Sequence, residues 1–309
     1  MIGNPHSTAP RLPQAPRSVL VGLIGQGVRP SLTPPLHELE GARHGMSYVY
    51  RPVDIAPDDA APDRLEQLLW AARTMGFDGL NVTHPAKQAV IPLLDDLAPS
   101  ARRVGAVNTV KFTPSGLIGH NTDVTGFGSA FDDAFGGAGH GLVIVYGAGG
   151  AGNAVATALA ERDVEEIVIV DAVVDRAQEL ADRVCAGGRE ARGVGLDAAD
   201  ALLPCAVGVV NATPFGMAAH PGMAFDPGLL PGDAWVSDIV YRPTETALLR
   251  TARARGLRTM SGLGMVAGQA GDSFEIFTGA AADRAAIIRD IHDLVAAEAA
   301  ENTQQETPR

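Results

Sequence analysis

The stretch HGLVIVYGAGGAGNAVATALAERD, residues 140–163, decides how the chain is read. It opens on an unbroken apolar run, the pattern of a strand buried on both faces. It turns through glycines and continues as a helical pattern with small residues on one face. Gly147, Gly149 and Gly152 fall at the spacing G-x-G-x-x-G. With a strand before and a helix after, that spacing has a physical meaning. Gly147 permits the tight turn, Gly149 lets a pyrophosphate approach the backbone, and Gly152 lets helix and strand pack closely. The helix N-terminus then offers free N–H groups and the positive end of its dipole. The candidate cofactor loop is Gly147, Ala148, Gly149, Gly150, Ala151 and Gly152. The competing reading is a tight βα turn that holds no ligand.

Downstream, EIVIVD predicts a second strand that ends at Asp171, and VDRAQELADRV a second helix. A carboxylate about 20 residues past the last glycine accepts hydrogen bonds from both hydroxyls of an adenosine ribose and repels a 2′-phosphate. No basic residue follows at once, since the run is Asp171-Ala172-Val173-Val174. The expected cofactor is therefore NAD rather than NADP, unless Asp171 serves only as a helix-capping carboxylate. Arg176 has two open readings, beside the adenine or on the helix surface.

Upstream, short apolar runs alternate with helical patterns. SVLVGLIG, SYVYRPVDI and GLNVTH read as strands, PSLTPPLHELEGARHG as a loop and helix, and PDRLEQLLWAARTMG as a helix. A further helix is expected from near Pro85. VNTVKFTPSGLIGHNTD reads as a hairpin through a Pro-Ser-Gly turn. AVGVVNAT and AWVSDIVY add strands, and LGMVAGQAGDSFEIFTG and ADRAAIIRDIHDLVAAEAA two closing helices. The alternation predicts an α/β fold of two domains. Residues 17–125 with 265–300 form an α/β unit with a mostly parallel sheet, and 126–264 a Rossmann-type unit. The crossings fall near Val124–Gly128 and near Gly262, and the closing helices pack back on the first unit. The Pro-rich residues 1–16 are expected to be a disordered arm, and the polar residues 301–309 a flexible tail.

Composition narrows the function. The chain has 309 residues, with 46% apolar and 19% charged, a soluble globular balance with material for two cores. Net charge is -12 and no Lys/Arg run occurs, which argues against a nucleic-acid partner. An anionic substrate would be held by a few local donors against the overall field. No apolar run is long enough for a bilayer and no secretory h-region opens the chain. The two cysteines, Cys185 and Cys205, read as reduced thiols of a cytoplasmic protein. Metal is not expected, because His84 has only His120 as an obvious partner.

Polar residues cluster at expected strand ends and loops, where open α/β sheets place ligands. They are Ser31 and Thr33 in PSLTP, Thr83 and Lys87 in NVTHPAK, Asn108 in AVNT, and Asn121 and Asp123 in HNTD. Each alone also fits a structural part: Ser31, Thr33 or Asp123 as helix caps, Lys87 as a solvated charge, Asn108 as a turn residue. In order, NVTHPAKQ, GAVNTV, GHNTDVTGF, VYGAGGAGNA, NATPFGM and GLGM with Gln269 resemble the shikimate dehydrogenases over roughly residues 18 to 295. The NAD-dependent quinate/shikimate dehydrogenases look nearest.

That resemblance implies roles at matching positions. Lys87 and Asp123 would form the catalytic pair, Lys87 exchanging the proton and Asp123 orienting it and binding the reacting hydroxyl. Ser31 and Thr33 would hold the substrate carboxylate. Thr83, Asn108 and Gln269 would bond its hydroxyls and carboxylate, with Tyr241 nearby. Asn211, Thr213, Gly262 and Met265 would surround the nicotinamide. The biosynthetic, NADP-using pattern carries a basic N-R-[TS] run where this chain has Asp171-Ala172-Val173, and usually serine at Thr33. The implied substrates are shikimate and quinate. Alternatives are a biosynthetic shikimate dehydrogenase, an aminoshikimate dehydrogenase and a non-catalytic ligand-sensing module. A monomer and a homodimer both stay open.

Overall fold

A computed structural model describes residues 16–136 and 140–305. Two six-stranded sheets organise the chain, which runs through β1 (Ser18–Gly25), α1 (Thr33–Arg43), β2 (Ser47–Asp54), α2 (Pro62–Thr74), β3 (Gly79–Val82), α3 (Ala86–Ala89), β4 (Asp96–Leu97), α4 (Pro99–Val104), β5 (Thr109–Thr113), β6 (Gly116–His120) and α5 (Asp123–Phe135). It continues through β7 (Leu142–Tyr146), α6 (Gly150–Ala160), β8 (Glu166–Val170), α7 (Val174–Ala186), β9 (Glu190–Val194), α8 (Leu196–Ala199), β10 (Ala206–Asn211), β11 (Trp235–Asp238), α9 (Ala247–Ala254), β12 (Arg258–Ser261), α10 (Gly262–Thr278) and α11 (Arg284–Gln305).

The first sheet has the order β2-β1-β3-β5-β6-β4. Strands β2, β1 and β3 run parallel, and β5 turns the direction against β3. Period-two alternation along β1 explains its two coats. Val19, Val21 and Leu23 face Tyr48, Tyr50, Phe274 and Phe277. Ile24, with Leu80 and Val82, faces Leu65 and Leu69 of α2. The second sheet has the order β9-β8-β7-β10-β11-β12 and is parallel throughout. Val143 and Val145 pack toward α5, α6 and α7, while Ile144 and Tyr146 pack toward α9. Buried β7 is thus apolar on both faces, as a central parallel strand requires. Its neighbours β8 and β10 diverge in order at the point where the glycine loop leaves β7. Ligands bind at such switch points in doubly wound sheets.

Helix α5 joins the two layers. It starts beside the first sheet and buries Phe127, Phe131 and Phe135 in the second core. The Phe135 and Trp235 rings stack at 4.7 Å. The crossing expected near Val124–Gly128 falls inside this helix, and the one near Gly262 falls at the start of α10. Helix α10 crosses α5 closely, because a Cβ on Gly126 would meet the Gln269 nitrogen at 2.6 Å. Only glycine there lets the backbones approach this far.

Several sequence expectations are corrected. The helix expected from Pro85 is only the short α3, followed by a 3-10 turn at Ile91–Leu93. Pro92 lacks the N–H that an α-helix would use, and it disfavours helical geometry at Ile91. Strands β9 and β12 carry too little apolar alternation to stand out, being sheet edges with one open side. The helix α11 reaches Gln305, into the tail expected to be loose from residue 301. Most of the expected N-terminal arm, residues 1–15, and residues 306–309 lie outside the described residues.

His37 fastens α1 to its neighbours. It is buried, with Nδ1 2.9 Å from the Tyr48 hydroxyl and Nε2 3.2 Å from the Ser273 hydroxyl on α10. Burial lowers its pKa from 6.5 to about 3. An unfolded chain takes up this proton below 6.5, and the folded chain only near 3. Between those values the unfolded state holds the extra proton, so this contribution to stability is present above 6.5 and is lost as pH falls. The slope is at most about 1.4 kcal/mol per pH unit. His37→Gln removes the slope while costing stability at neutral pH. The gap between wild-type and variant urea midpoints should narrow from pH 7 to pH 4.5. A gap independent of pH would refute the assignment.

Candidate active site

The site is built where β3 ends. Thr83 N donates to the Ile24 carbonyl (2.9 Å), and Ala86 N to the Thr83 carbonyl (2.9 Å), turning the chain into α3. The His84–Pro85 bond within this turn is cis. Val107 N donates to the Lys87 carbonyl at 2.9 Å, and Asn108 N to the His120 carbonyl at 3.0 Å. These backbone bonds bring three separate segments together: α3, the start of β5, and the end of β6.

The side chains complete the junction. Lys87 Nζ lies 2.6 Å from Asp123 Oδ2, and both side chains keep partial exposure, 21% and 11%. Asn108 Nδ2 donates to the other carboxylate oxygen, Oδ1, at 2.9 Å. Asp123 does not cap its helix. Asn121 does that work, its Oδ1 accepting from Asp123 N at 3.0 Å and Val124 N at 3.4 Å. The Asp123 carboxylate is therefore left to Lys87 and Asn108.

One cleft of about 600 Å³ collects most of the expected residues. Ser31, Thr33, Thr83, Lys87, Asn108 and Asp123 line its first-sheet wall. Tyr241, Met265 and Gln269 also line it, with Ala151 from the start of α6 and Thr213 from the loop after β10. Gln269 Nε2 reaches 3.5 Å from Thr33 Oγ1, and Thr33 N bonds Ser31 Oγ at 3.2 Å. Burial pushes the Tyr241 phenol up, with Arg242 opposing, so it remains a neutral hydroxyl. Another cavity, about 340 Å³ between α5, α10 and α11, contains none of the expected site residues.

The glycine loop has the shape its spacing implies. Gly147 has φ +101°, open to glycine alone. A Cβ on Gly152 would stand 1.8 Å from the Gly147 carbonyl, so helix and loop touch backbone to backbone. A Cβ on Gly149 would meet nothing within 4 Å. The open space lies at the N-terminus of α6, and it fits a pyrophosphate. Asp171, at the end of β8, accepts from Ala148 N through Oδ2 (2.8 Å) and from Val173 N through Oδ1 (2.9 Å). Its carboxylate thus stands beside the loop with acceptor capacity left on each oxygen. It is not the cap of α7, whose N-cap is Val173. Arg176 is exposed on the first turn of α7.

Two expected cofactor contacts, Asn211 and Gly262, pack just behind residues of the cleft wall. Asn211 is fully buried. Its Oδ1 accepts from Thr213 N (3.0 Å) and Thr213 Oγ1 (2.6 Å), and its Nδ2 donates to the Phe215 carbonyl and to Asp238. Its work is to shape the loop that carries Thr213. A Cβ on Gly262 would lie 2.1 Å from the Ile239 carbonyl, which makes that glycine a packing position. Asn108 reaches the cleft with both amide hydrogens already donated, to Asp123 and to Thr122 Oγ1 at 3.0 Å. His84 is exposed and outside the cleft wall.

Other cleft residues escaped the sequence reading. Arg242 donates to the Pro30 carbonyl and to Glu298 of α11, and lies 5.7 Å over the Tyr241 ring. It ties the loop after β11 to the Ser31 loop across the cleft. Asn81 sits mid-strand in β3, where polar residues usually only interrupt a core. Its one visible signal was an amide inside an apolar run.

Comparison with known proteins agrees with this architecture. Residues 23–110 match the profile of the shikimate dehydrogenase substrate binding domain. The chain is 46% identical over 287 residues to shikimate dehydrogenase (NADP(+)) of Pseudarthrobacter chlorophenolicus, covering 92% of this chain and 98% of that one. It is 50% identical over 266 residues to quinate/shikimate dehydrogenase (NAD(+)) of Corynebacterium glutamicum, covering 85% and 94%. Quinate dehydrogenase from Corynebacterium glutamicum in complex with NAD superposes with a TM-score of 0.83 at 46% identity, over 88% of this chain and 98% of that one. At up to 50% identity over most of both chains, the protein belongs to the shikimate dehydrogenase family of nicotinamide-dependent oxidoreductases.

Proposed function

We propose that the protein interconverts shikimate with 3-dehydroshikimate, and quinate with 3-dehydroquinate, using NAD. The observation that carries this reading is the Lys87–Asp123 contact of 2.6 Å inside a cleft that Ala151, at the end of the glycine loop, also lines. Residues 17–125 with 265–300 serve as the substrate unit, and 126–264 as the dinucleotide unit.

Oxidising a secondary alcohol removes a hydride from carbon and a proton from oxygen. Ala151, Thr213 and Met265 would hold the nicotinamide, which would supply the hydride acceptor when bound. Lys87 Nζ, as the free amine, accepts the hydroxyl proton and then, as the ammonium, donates to the forming carbonyl oxygen. Asp123 holds Lys87 through Oδ2 and binds the reacting hydroxyl before its proton passes to Lys87. Ser31 and Thr33 donate to the substrate carboxylate, which a chain of net charge -12 must hold by local donors. Gln269, beside Thr33, joins them, while Thr83 and Tyr241 orient the ring hydroxyls.

Asp171 supports NAD over NADP. Its carboxylate stands at the glycine loop, and the residues after it, Ala172 and Val173, offer no cation for a 2′-phosphate. Relatives named for either cofactor have comparable identity, so the support for NAD comes from the carboxylate rather than from the likeness.

Absorbance at 340 nm, crossing NAD and NADP with shikimate, quinate and aminoshikimate, tests the reading. NAD reduction with shikimate and quinate is expected. A strong NADP preference would overturn the role of Asp171, and no reduction in any combination would leave a ligand-sensing module. Lys87→Met should slow single-turnover hydride transfer on the order of a hundredfold or more. Near-normal transfer would remove Lys87 from the chemistry.

A further inference from the structure

Behind the cleft, a line of buried polar groups leads to the back of Asp123. Tyr50, Asn81, Thr109 and Asn108 are each at most 3% exposed. Asn81 and Thr109 are directly opposed across the β3–β5 ladder, and Tyr50 reaches Asn81 over β1. The hydroxyl of Tyr50 lies 2.6 Å from Asn81 Oδ1. Asn81 Nδ2 lies 2.8 Å from Thr109 Oγ1, and Thr109 Oγ1 lies 3.0 Å from Asn108 Oδ1.

The direction of every bond is fixed by the backbone. Asn81 Nδ2 also donates to the Asn108 main-chain carbonyl at 3.2 Å, which only accepts, so the Asn81 oxygen must face Tyr50. The Asn108 oxygen accepts from Thr122 main-chain N at 2.8 Å, which only donates, so its nitrogen must face Asp123. Thr109, receiving a hydrogen from Asn81, must give its own to Asn108. Burial pushes the Tyr50 phenol up, which keeps it a donor at the head of the line. All the hydrogens therefore point one way, toward Asp123 Oδ1. Hydrogen bonds aligned in sequence polarise and stiffen one another.

We propose that Tyr50, Asn81 and Thr109 are positioning residues: their one-way chain of hydrogen bonds fixes the Asn108 amide, and through it the Asp123 carboxylate, so that Oδ2 faces Lys87. The proposal rests on the roles of Lys87 and Asp123 given above. Thr109 is the decisive member, since it is absent from the cleft wall and acts only through Asn108.

Thr109→Val keeps the shape and removes the hydroxyl, and Thr109→Ser restores the hydroxyl without the methyl. Asn81 and Asn108 each keep another partner in the valine variant. Steady-state kinetics with shikimate and NAD should give a kcat about tenfold lower in Thr109→Val, the size of one buried hydrogen bond expressed in the transition state. The KM for shikimate should stay within about twofold, because no substrate contact is lost. Thr109→Ser should recover most of kcat. Unchanged kcat in Thr109→Val, an equal fall in Thr109→Ser, or a loss confined to KM overturns the chain. If circular dichroism finds Thr109→Val unfolded, Tyr50→Phe decides: a fall in kcat alone supports the chain, and wild-type kcat refutes it. Inactivity of the wild-type enzyme with every substrate and cofactor pair would instead sink the functional reading, which separates the two failures.

Discussion

The contact between Lys87 and Asp123 is the interaction on which the rest of the site depends. It spans two elements that meet only because the β5–β6 hairpin folds back on β3 and the short α3 is tied by its Lys87 carbonyl to Val107. A half-buried ion pair contributes little to stability by itself, because desolvation offsets attraction. Its place in the structure is therefore set by the scaffold around it. The Asp123 end is held most firmly. Asn108 takes one carboxylate oxygen, Asn121 caps the helix in its stead, and α5 runs on into the second core, where Phe131 and Phe135 meet Trp235.

That anchoring links the two sides of the cleft. The helix that carries Asp123 is crossed by α10 at Gly126 and Gly268, and this close approach sets Gln269 and Met265 on the cleft. The glycine loop comes near from the other side, its Gly150 Cβ direction 3.9 Å from the Lys87 side chain. The Lys87–Asp123 pair and the glycine loop thus border one space. Arg242 adds a second tie across that space, from the loop after β11 to the Pro30 carbonyl. Preorganisation of this kind reduces what must rearrange when charge develops on the reacting oxygen.

How far the sequence carried depends on the kind of signal. Strands β1 and β7 were legible because burial on both faces forces continuous apolar runs, and the bounds of β1 agree with the run SVLVGLIG. The glycine loop was legible because positive φ at Gly147 and backbone contact at Gly152 admit almost no other residue. Edge strands β9 and β12 were not, since one open side removes the apolar alternation. Asn211 and Gly262 were expected near the nicotinamide from the resemblance, and the structure adds that Asn211 shapes the Thr213 loop and Gly262 packs on Ile239. A motif marks that a residue type is needed without saying which way its side chain faces.

By itself the sequence determined the α/β class, the order of the two units' elements, and the polar residue types that the chemistry needs. Those follow from local rules: periodicity, turn stereochemistry and the composition of strand ends. Only the tertiary structure decided which of those residues share a cleft, that Asp123 leaves capping to Asn121, and that Arg242 crosses to Pro30. It also decided that Tyr50, Asn81 and Thr109, from β2, β3 and β5, align their hydrogens toward one carboxylate. The physical reason is that hydrogen-bond direction depends on distances between strands that are far apart in the chain. Such distances are set by sheet register and helix crossing, which no short stretch of sequence encodes alone.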